Sequence, residues 1–346
     1  MRLRNKLLAL VLLLSLGLTL IAVAQNPPAP TPDHPAARDA SQASPVPPPP
    51  ASGQQTGQQD VEKGDNGTFI FKKKVEEVVL HATVMDQKQH LVSGLRQDDF
   101  AVFEDGKPMA ITSFHQEDIP VAIGIVIDNS GSMRDKRQKV NQAALNLVRA
   151  SNPQDELFVV NFNDEYYLDQ DFTSNINQLK EGLDHIESRG GTALYDAVVA
   201  SADHLAKRAR LDRKVLLIVT DGEDNASRNS LEQCVRSLQD LNGPTVYSIG
   251  ILGDDREAHR AKRALTALAF QTGGVAFFPK DMSEVDNISR QVAHDIRNQY
   301  TIGYKPADPT RPGYRSVRVE AHATGYKRLV VRTRSGYYAG QERAAR

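Results

Sequence analysis

The sequence has little of what would place it in several common classes of protein. Its 346 residues include a single cysteine, Cys234, so the chain cannot close an internal disulfide, and we expect this residue to be buried in a helix. The formal net charge is -1, which gives no electrostatic reason for nucleic acid or an anionic membrane surface to be the main partner. The 9 histidines show no metal-ligand spacing. The composition therefore indicates neither a disulfide framework, nor a nucleic-acid-binding protein, nor a histidine metal site.

Signatures of common enzymes are missing as well. The stretch NSGSM is not a Gly-x-Ser-x-Gly nucleophile elbow, the chain has no Walker loop, and no Gly-x-Gly-x-x-Gly follows the first strand-like run of its central region. A phosphotransferase of the haloacid dehalogenase type would need a second acid where this chain has Ser130. We therefore predict that the protein is not an enzyme and that it has no catalytic residues and no organic cofactor.

The N-terminus contains an export signal. A basic segment, MRLRNK, precedes an apolar run over residues 7–22 and an Ala-Val-Ala cleavage site. This pattern predicts a signal peptide over residues 1–24. An uncleaved membrane anchor is the alternative, although the run is shorter than the about 20 residues that span a bilayer comfortably. We expect the rest of the chain to be exported, to the periplasm or outside the cell, and to touch the membrane only if the anchor is kept.

A proline-rich stretch follows the signal. Residues 25–66 begin with QNPPAPTPDHPAARDASQASPVPPPPASGQQTGQQD, in which large apolar residues are almost absent. Such a chain cannot bury a core, and its prolines favour extended conformations. We therefore predict a disordered linker that acts as a spacer.

Strand-like sequence lies on both sides of the central region. In residues 67–118, VEEVVLHATVMD alternates apolar and polar positions, and two short runs flank Asp105-Gly106, a strong hairpin signal. Residues 299–340 contain QYTIGYKP, YRSVRVEAHA and KRLVVRTRSGYY between turn residues, before a short tail over 341–346. We predict a small β-sandwich-like domain assembled from both ends. The sequence leaves open whether the two segments share one sheet.

Residues 119–298 have a different pattern. The apolar runs VAIGIVID, ELFVVNF, KVLLIVT, TVYSIGIL and GVAFF alternate with helical patterns. Continuous apolar strands between helices predict an α/β fold with a doubly wound, mostly parallel sheet covered on both faces. The run FVVNFNDEYYLDQDF leaves room only for a short turn, which adds one antiparallel edge strand. The predicted helices cover residues 139–150, 194–209, 231–241, 258–272 and 284–298.

Short side chains that carry oxygen follow these strands where ligands bind in such sheets. Asp128, Ser130 and Ser132 come just after the first strand, and Asp221 comes just after KVLLIVT. In a sheet ordered 3-2-1-4-5-6 those two strands are neighbours. Thr192 follows two glycines at the start of a helix, where the backbone can approach closely. We expect the five side chains to converge at one edge of the sheet.

Two carboxylates and three hydroxyls suit a hard cation such as Mg²⁺, which prefers oxygen ligands and usually keeps some water. If Ser130, Ser132 and sometimes Thr192 coordinate directly while Asp128 and Asp221 hold waters, the protein ligands in direct contact are neutral and the metal stays electrophilic. An Asp or Glu carboxylate of another protein is then the natural final ligand.

The same residues resemble a known family. DNSGS matches the Asp-x-Ser-x-Ser signature of von Willebrand factor type A domains, and with the Thr192 and Asp221 segments all five positions match their metal-ion-dependent adhesion site. The resemblance covers roughly residues 119–298. It implies a von Willebrand A fold, Mg²⁺ or Mn²⁺ as the metal, and a role in adhesion or complex assembly.

The flanking sequence, from VSGLRQDDF to DNSGSM, is similar to exported bacterial proteins called VWFA-related domain proteins, which are abundant in acidobacteria. This resemblance implies no defined activity. Integrin β subunits share the acid at Asp135, part of their adjacent calcium site, but this chain has Lys136 where they have another acid. We therefore expect no second metal.

We predict an exported protein-binding module that captures a partner carboxylate through a divalent cation. Two alternatives stay open, namely a structural envelope protein with a vestigial site and, less favoured, a metal-dependent hydrolase. Ordinary roles also exist for these residues, because serines cap helices and Gly-Gly and Asp-Gly pairs form turns. All of these ordinary roles would have to coincide to imitate the whole site.

Overall fold

The computed structural model describes residues 60–63, 69–72, 77–184 and 188–340. The predicted signal peptide, most of the predicted linker and the C-terminal tail lie outside these residues. Within the described part of the chain, no helix combines the length and apolar character needed to cross a bilayer.

The order of elements follows the predicted succession of strands, then strands alternating with helices, then strands again. The helices are α1 (Arg137–Ala150), α2 (Ile176–Asp184), α3 (Leu194–Arg208), α4 (Leu231–Leu238), α5 (Arg256–Thr272) and α6 (Glu284–Arg297). The strands up to α1 are β1 (Asp60–Lys63), β2 (Phe69–Lys72), β3 (Val78–Met85), β4 (Phe100–Glu104), β5 (Lys107–Met109), β6 (Ile111–His115) and β7 (Ala122–Asp128). The later strands are β8 (Glu156–Phe162), β9 (Tyr166–Thr173), β10 (Lys214–Thr220), β11 (Thr245–Gly250), β12 (Ala276–Phe277), β13 (Tyr300–Tyr304), β14 (Gly313–Ala321), β15 (Val330–Arg332) and β16 (Gly336–Ala339).

The central region is built on a six-stranded sheet with the order β12-β11-β10-β7-β8-β9. This is the predicted order 3-2-1-4-5-6, and it places β7 beside β10 in parallel. The pairing of β9 with β8 is antiparallel, as the short turn predicted. The predicted doubly wound, mostly parallel α/β sheet is confirmed.

Both faces of this sheet are covered, which explains its continuous apolar strands. All seven residues of β7 are buried. Ile123, Ile125 and Ile127 pack with residues of α1 and α6 on one face, and Ala122 and Val126 pack with residues of α3 to α5 on the other. The alternation follows from the twofold side-chain period of a strand. The core is therefore two apolar layers separated by the sheet.

The helices agree with the predicted ranges apart from their ends and one omission. Helix α2 was not predicted. It is short, and Leu179 and Leu183 pack into the core on the α1 face. Short helices draw most of their stability from such packing rather than from intrinsic propensity, so the local signal was weak. Cys234 is fully buried in α4, as expected.

The strands from the two ends form two further four-stranded sheets. Their orders are β15-β3-β13-β6 and β16-β14-β4-β5, so each sheet contains strands from both sides of the central region. Buried residues such as Leu80, Val102, Ile302 and Val319 belong to one shared apolar cluster. The predicted β-sandwich-like domain is confirmed, and the two segments do share sheets. The exact domain boundaries stay predictions.

One turn and one strand pairing on the N-terminal side refine the prediction. Asp105 and Gly106, at φ of 48° and 78°, form the predicted turn between β4 and β5. Strand β1 pairs with β2 although it lies within residues 25–66, where a linker was predicted. Backbone pairing needs no apolar side chains, so composition did not reveal this strand.

Candidate metal centre

The predicted site residues lie at the carboxyl edge of the central sheet. Asp128 is the last residue of β7 and Asp221 follows β10, and the two strands are paired up to Ile127 and Val219. Strand geometry therefore places both carboxylates at the same edge, as expected.

A chain of hydrogen bonds connects these carboxylates. The backbone N–H of Ser130 donates to Oδ1 of Asp128 at 2.8 Å, and the hydroxyls of Ser130 and Ser132 lie 3.1 Å apart. The Ser132 hydroxyl donates to Oδ1 of Asp221 at 2.8 Å. Four of the five predicted residues thus form one continuous polar cluster.

The two serines do not cap the helix that follows them. Helix α1 begins at Arg137 with Lys136 at its N-cap position, whereas Ser130 precedes a 3₁₀ turn over Gly131–Met133. The serine hydroxyls instead face each other and Asp221. The ordinary explanation of these serines as caps of α1 is therefore wrong.

The Asp128 carboxylate is fully buried. Burial raises the pKa of this carboxyl, and the charge of Asp221 acts in the same direction. Hydrogen bonds from Thr220 and Ser130 oppose the rise, the Thr220 hydroxyl donating to Oδ2 of Asp128 at 2.5 Å. When two carboxylates are buried close together, a nearby positive charge or hydrogen-bond donors stabilise their charged forms.

Thr192 reaches this edge from the loop before α3. Its backbone N–H donates to Oδ1 of Asn225 at 2.8 Å. A methyl group added at Gly222, next to Asp221, would stand 3.8 Å from the Thr192 hydroxyl oxygen, so that hydroxyl faces the Asp221 loop. The structure thus places the fifth predicted residue beside the loop that carries Asp221.

The glycines before Thr192 are required by close packing, as the sequence indicated. Gly190 has φ of +74°, and a Cβ at this position would lie 2.0 Å from Oδ2 of Asp164. The N–H of Gly191 donates to Oδ1 of the same carboxylate at 2.8 Å. Asp164, in the turn between β8 and β9, therefore holds the loop in place.

Supporting residues were the part of the site that sequence reasoning missed. Thr220 orients Asp128, Asn225 holds Thr192, and Asp164 holds the glycine loop. Thr220 could have been suspected, because it ends the strand directly before Asp221. Asn225 lies in the loop after β10, and nothing in the local sequence indicates its contact with Thr192.

Nearby acids have structural roles. Asp196 accepts hydrogen bonds from the N–H groups of Arg228 and Asn229, and Asp224 accepts from Tyr195 N–H at 2.9 Å. These bonds shape the loop after β10. In the described part of the chain, no three His, Cys, Asp or Glu side chains gather closely enough to hold a metal ion. Any ion at this edge therefore needs hydroxyl and water ligands in addition to the two carboxylates.

Comparison with known proteins identifies the class of the central region. The family model described as von Willebrand factor type A domain matches residues 123–223. This segment holds all of β7 except its first residue, all of β8 to β10, and all five predicted site residues. Over these residues the chain matches the von Willebrand factor type A family.

Two curated relatives match this chain over only part of their own length. An uncharacterized protein of Synechocystis sp. is 24% identical over 189 residues, which are 53% of this chain and 43% of that protein. Inter-alpha-trypsin inhibitor heavy chain H4 of Bos taurus is 25% identical over 173 residues, which are 46% of this chain and 18% of that protein. The chain thus spans less than half the length of either curated relative.

Solved structures with similar folds are more distant. A von Willebrand factor type A protein from Catenulispora acidiphila is 17% identical, covers 78% of this chain and 75% of its own, and has a TM-score of 0.45. Proximal thread matrix protein 1 of the mussel byssus, with a zinc-occupied MIDAS motif, is 17% identical, covers 56% and 50%, and has a TM-score of 0.44. The narrower resemblance to exported acidobacterial proteins stays a prediction.

Proposed function

We propose that the protein is a metal-dependent protein-binding module, in which a divalent cation at the carboxyl edge of the sheet captures a carboxylate of a partner protein. The observation that carries the proposal is the continuous cluster of Asp128, Ser130, Ser132 and Asp221 beside Thr192. Its hydroxyls do not cap α1, so a helix-capping role does not account for them.

The donor set fits Mg²⁺ or Mn²⁺. Carboxylates, hydroxyls and water are the ligands that these hard cations prefer, and thiolate and imidazole are absent from the set. Ser130, Ser132 and Thr192 would coordinate directly, whereas Asp128 and Asp221 would hold coordinated waters. When bound, the ion would supply an electrophilic centre for an anionic oxygen from outside. The buried acids, with the pKa of Asp128 raised, also favour a cation at this place.

A binding role is favoured over an enzymatic one. The cluster contains hydroxyls paired with carboxylates, but neither a histidine base nor a thiol, and the sequence lacks the enzyme signatures considered above. Von Willebrand A domains generally act as interaction modules. A metal-dependent hydrolase and a structural protein with a vestigial site are the competing functions.

The proposal includes export of the protein from the cytoplasm. The predicted signal and spacer would place the module in the periplasm or outside the cell, with the membrane as a contact only through an uncleaved signal. Cell fractionation with detection of the N-terminal residue tests this directly. A cytoplasmic protein that begins at Met1 would contradict it.

The central test is titration calorimetry of Mg²⁺ and Mn²⁺ into the purified protein and its Asp128→Ala variant. We expect Asp128→Ala to lose at least about 1.4 kcal/mol of metal-binding free energy, a tenfold weaker affinity, because a carboxylate that holds water and balances charge is gone. Circular dichroism should show an intact fold, since the apolar packing of β7 is kept. Asp98→Ala, at an exposed acid of the β domain, is the matched control.

Two outcomes would overturn the proposed function. One is a wild-type protein that binds neither ion at millimolar concentration. The other is an Asp128→Ala variant that binds as tightly as the wild type. Either result would favour the structural-protein alternative. Release of a fluorogenic ester or phosphate by the Mg²⁺-loaded protein, lost in Asp128→Ala, would instead favour the hydrolase.

A further inference from the structure

A lysine ammonium lies against one of the two carboxylates of the candidate metal centre. Nζ of Lys136 forms an ion pair with Oδ2 of Asp221. The other oxygen of Asp221 accepts the Ser132 hydroxyl at 2.8 Å. Both carboxylate oxygens are thus engaged by donors from the segment between β7 and α1.

This ion pair should have a strong effect on the charge of Asp221, because the Asp221 side chain has no access to water. The Asp221 side chain is 0% exposed and the Lys136 side chain is 31% exposed. A buried carboxylate depends strongly on its partners for its charge, whereas an exposed pair contributes little. The Lys136 head can still leave toward solvent, because its long stem is flexible and part of it is exposed.

The charges at this edge show what Lys136 does to a bound cation. Asp128 and Asp221 bring two negative charges and Lys136 brings one positive charge. A divalent ion would therefore give the centre a net positive charge with Lys136 present, and none without it. Repulsion between the ammonium and the ion opposes metal binding. Oδ2 of Asp221 must also exchange its ammonium partner before it can hold a coordinated water.

We propose that Lys136 is the internal counter-ion of this centre: it neutralises Asp221 in the metal-free protein, competes with the divalent cation and lowers its affinity. The inference rests on the proposed function. The net positive charge that remains after metal binding favours an anionic group as the final ligand. Lys136 thus weakens metal binding when no partner is present. It also makes metal binding more dependent on a partner carboxylate.

The test compares three variants with the wild type by Mg²⁺ titration calorimetry and by melting temperature in EDTA. Lys136→Met keeps the apolar stem and removes the charge, and Lys136→Arg keeps the charge. Lys139→Met removes one positive charge from an exposed position on α1 and serves as the matched control.

We expect Lys136→Met to bind Mg²⁺ about tenfold more tightly than the wild type, because the competing charge is gone. In EDTA the same variant should melt at a lower temperature, because Asp221 is left buried without its partner. Lys136→Arg and Lys139→Met should stay within about threefold of the wild-type affinity, since the first keeps the charge and the second changes only a solvated one.

Each other result has a definite meaning. If Lys136→Met binds Mg²⁺ no more tightly than the wild type, or if Lys136→Arg gains as much affinity as Lys136→Met, the counter-ion role is overturned. If Lys136→Met binds Mg²⁺ and the wild type does not, the proposed function fails for this protein while the counter-ion role is supported. If neither protein binds, both are overturned.

Discussion

The two edges of the central sheet both bury polar side chains, but they use them differently. At the carboxyl edge, the acids Asp128 and Asp221 meet serine hydroxyls and the ammonium of Lys136. These contacts are made by loops that leave one sheet. The result is a compact group of oxygen atoms at the ends of β7 and β10.

At the amino edge, the polar groups join different parts of the fold. The Arg213 guanidinium donates to the side chain of Gln299, which donates in turn to the Tyr247 hydroxyl at 3.0 Å and to the Thr83 hydroxyl at 3.2 Å. Thr83 lies in β3 of the sandwich and Tyr247 in β11 of the central sheet. This network therefore ties the central domain to the sandwich.

Under the proposed function, one sheet would serve metal binding at its carboxyl edge and stability at its amino edge. Groups whose partners come from both domains should, when removed, destabilise the protein without touching metal affinity. Groups of the carboxyl edge should change metal affinity strongly and stability only modestly.

The largest effect on stability is expected at the amino-edge network. Asp295 in α6 accepts the Tyr247 hydroxyl at 2.6 Å and pairs with Arg332 of β15. Asp295→Ala leaves that arginine without its buried partner and should lower the free energy of unfolding by about 3 kcal/mol. Urea unfolding measures this change, and Mg²⁺ titration should show unchanged affinity.

A matched variant on the same helix sharpens this result. Asp286 pairs with Arg290 at 2.6 Å, but the two side chains are 37% and 52% exposed. Asp286→Ala should therefore cost less than about 1 kcal/mol. Equal losses in the two variants would mean that burial of the amino-edge pair is not what matters.

A smaller, pH-dependent effect is expected from His81 of β3, in the same region. Burial and the charges of Arg213 and Arg334 lower the pKa of this histidine to about 3. The unfolded chain therefore binds the proton near pH 6.5 and the folded chain only near 3. Stability is full above pH 6.5 and is lost as the pH falls toward 3.

The measurement is urea unfolding of the wild type and of His81→Gln at pH 7 and pH 5. Between these values the wild type should lose about 1 to 2 kcal/mol more than the variant. The exposed histidine His90, replaced by Gln, is the control and should follow the wild type. An identical pH response of His81→Gln and wild type would contradict the assignment.

A modest effect on stability, but a clear one on binding, is expected for Thr220→Val at the carboxyl edge. This nearly isosteric change removes the hydroxyl that donates to Asp128 at 2.5 Å. The free energy of unfolding should fall by about 1 kcal/mol. The Mg²⁺ affinity should fall about tenfold, because residues that orient a metal ligand have effects of this size.

Thr266→Val provides the comparison for this variant. The hydroxyl of Thr266 donates to the Lys262 carbonyl on the exposed face of α5, at 2.7 Å. Its loss should leave Mg²⁺ affinity unchanged. If Thr220→Val lowered stability strongly and left metal affinity alone, the two edges would not be separated in function.

Much of the fold could be predicted because its signals are local. The apolar run of β7 and the helical patterns of α1 and α5 are each readable within one segment, and the strand order follows from general rules for doubly wound sheets. The sandwich could be expected only in outline. Leu80 pairs with Ile302, and no local pattern reports a partner so distant in sequence.

The candidate site divides in the same way. Residues with oxygen side chains at the ends of β7 and β10 could be listed in advance, because strand ends and short motifs are visible in the sequence. The supports Asn225 and Asp164 could not, because their value comes from loops that meet only in the folded chain. In the sequence, Lys136 stands out only because integrin β subunits have an acid at the corresponding position.

The sequence by itself determined which donor atoms this edge of the sheet presents and, through the alternation of apolar strands and helices, that they would meet. The tertiary structure alone decided which charge faces them, since Lys136 reaches Asp221 across 85 positions of the chain. It also decided how β3 and β13 pair to close the sandwich. The reason is physical: side-chain type and local periodicity are properties of a segment, whereas a counter-ion or a strand partner depends on which distant segments the packed core brings into contact.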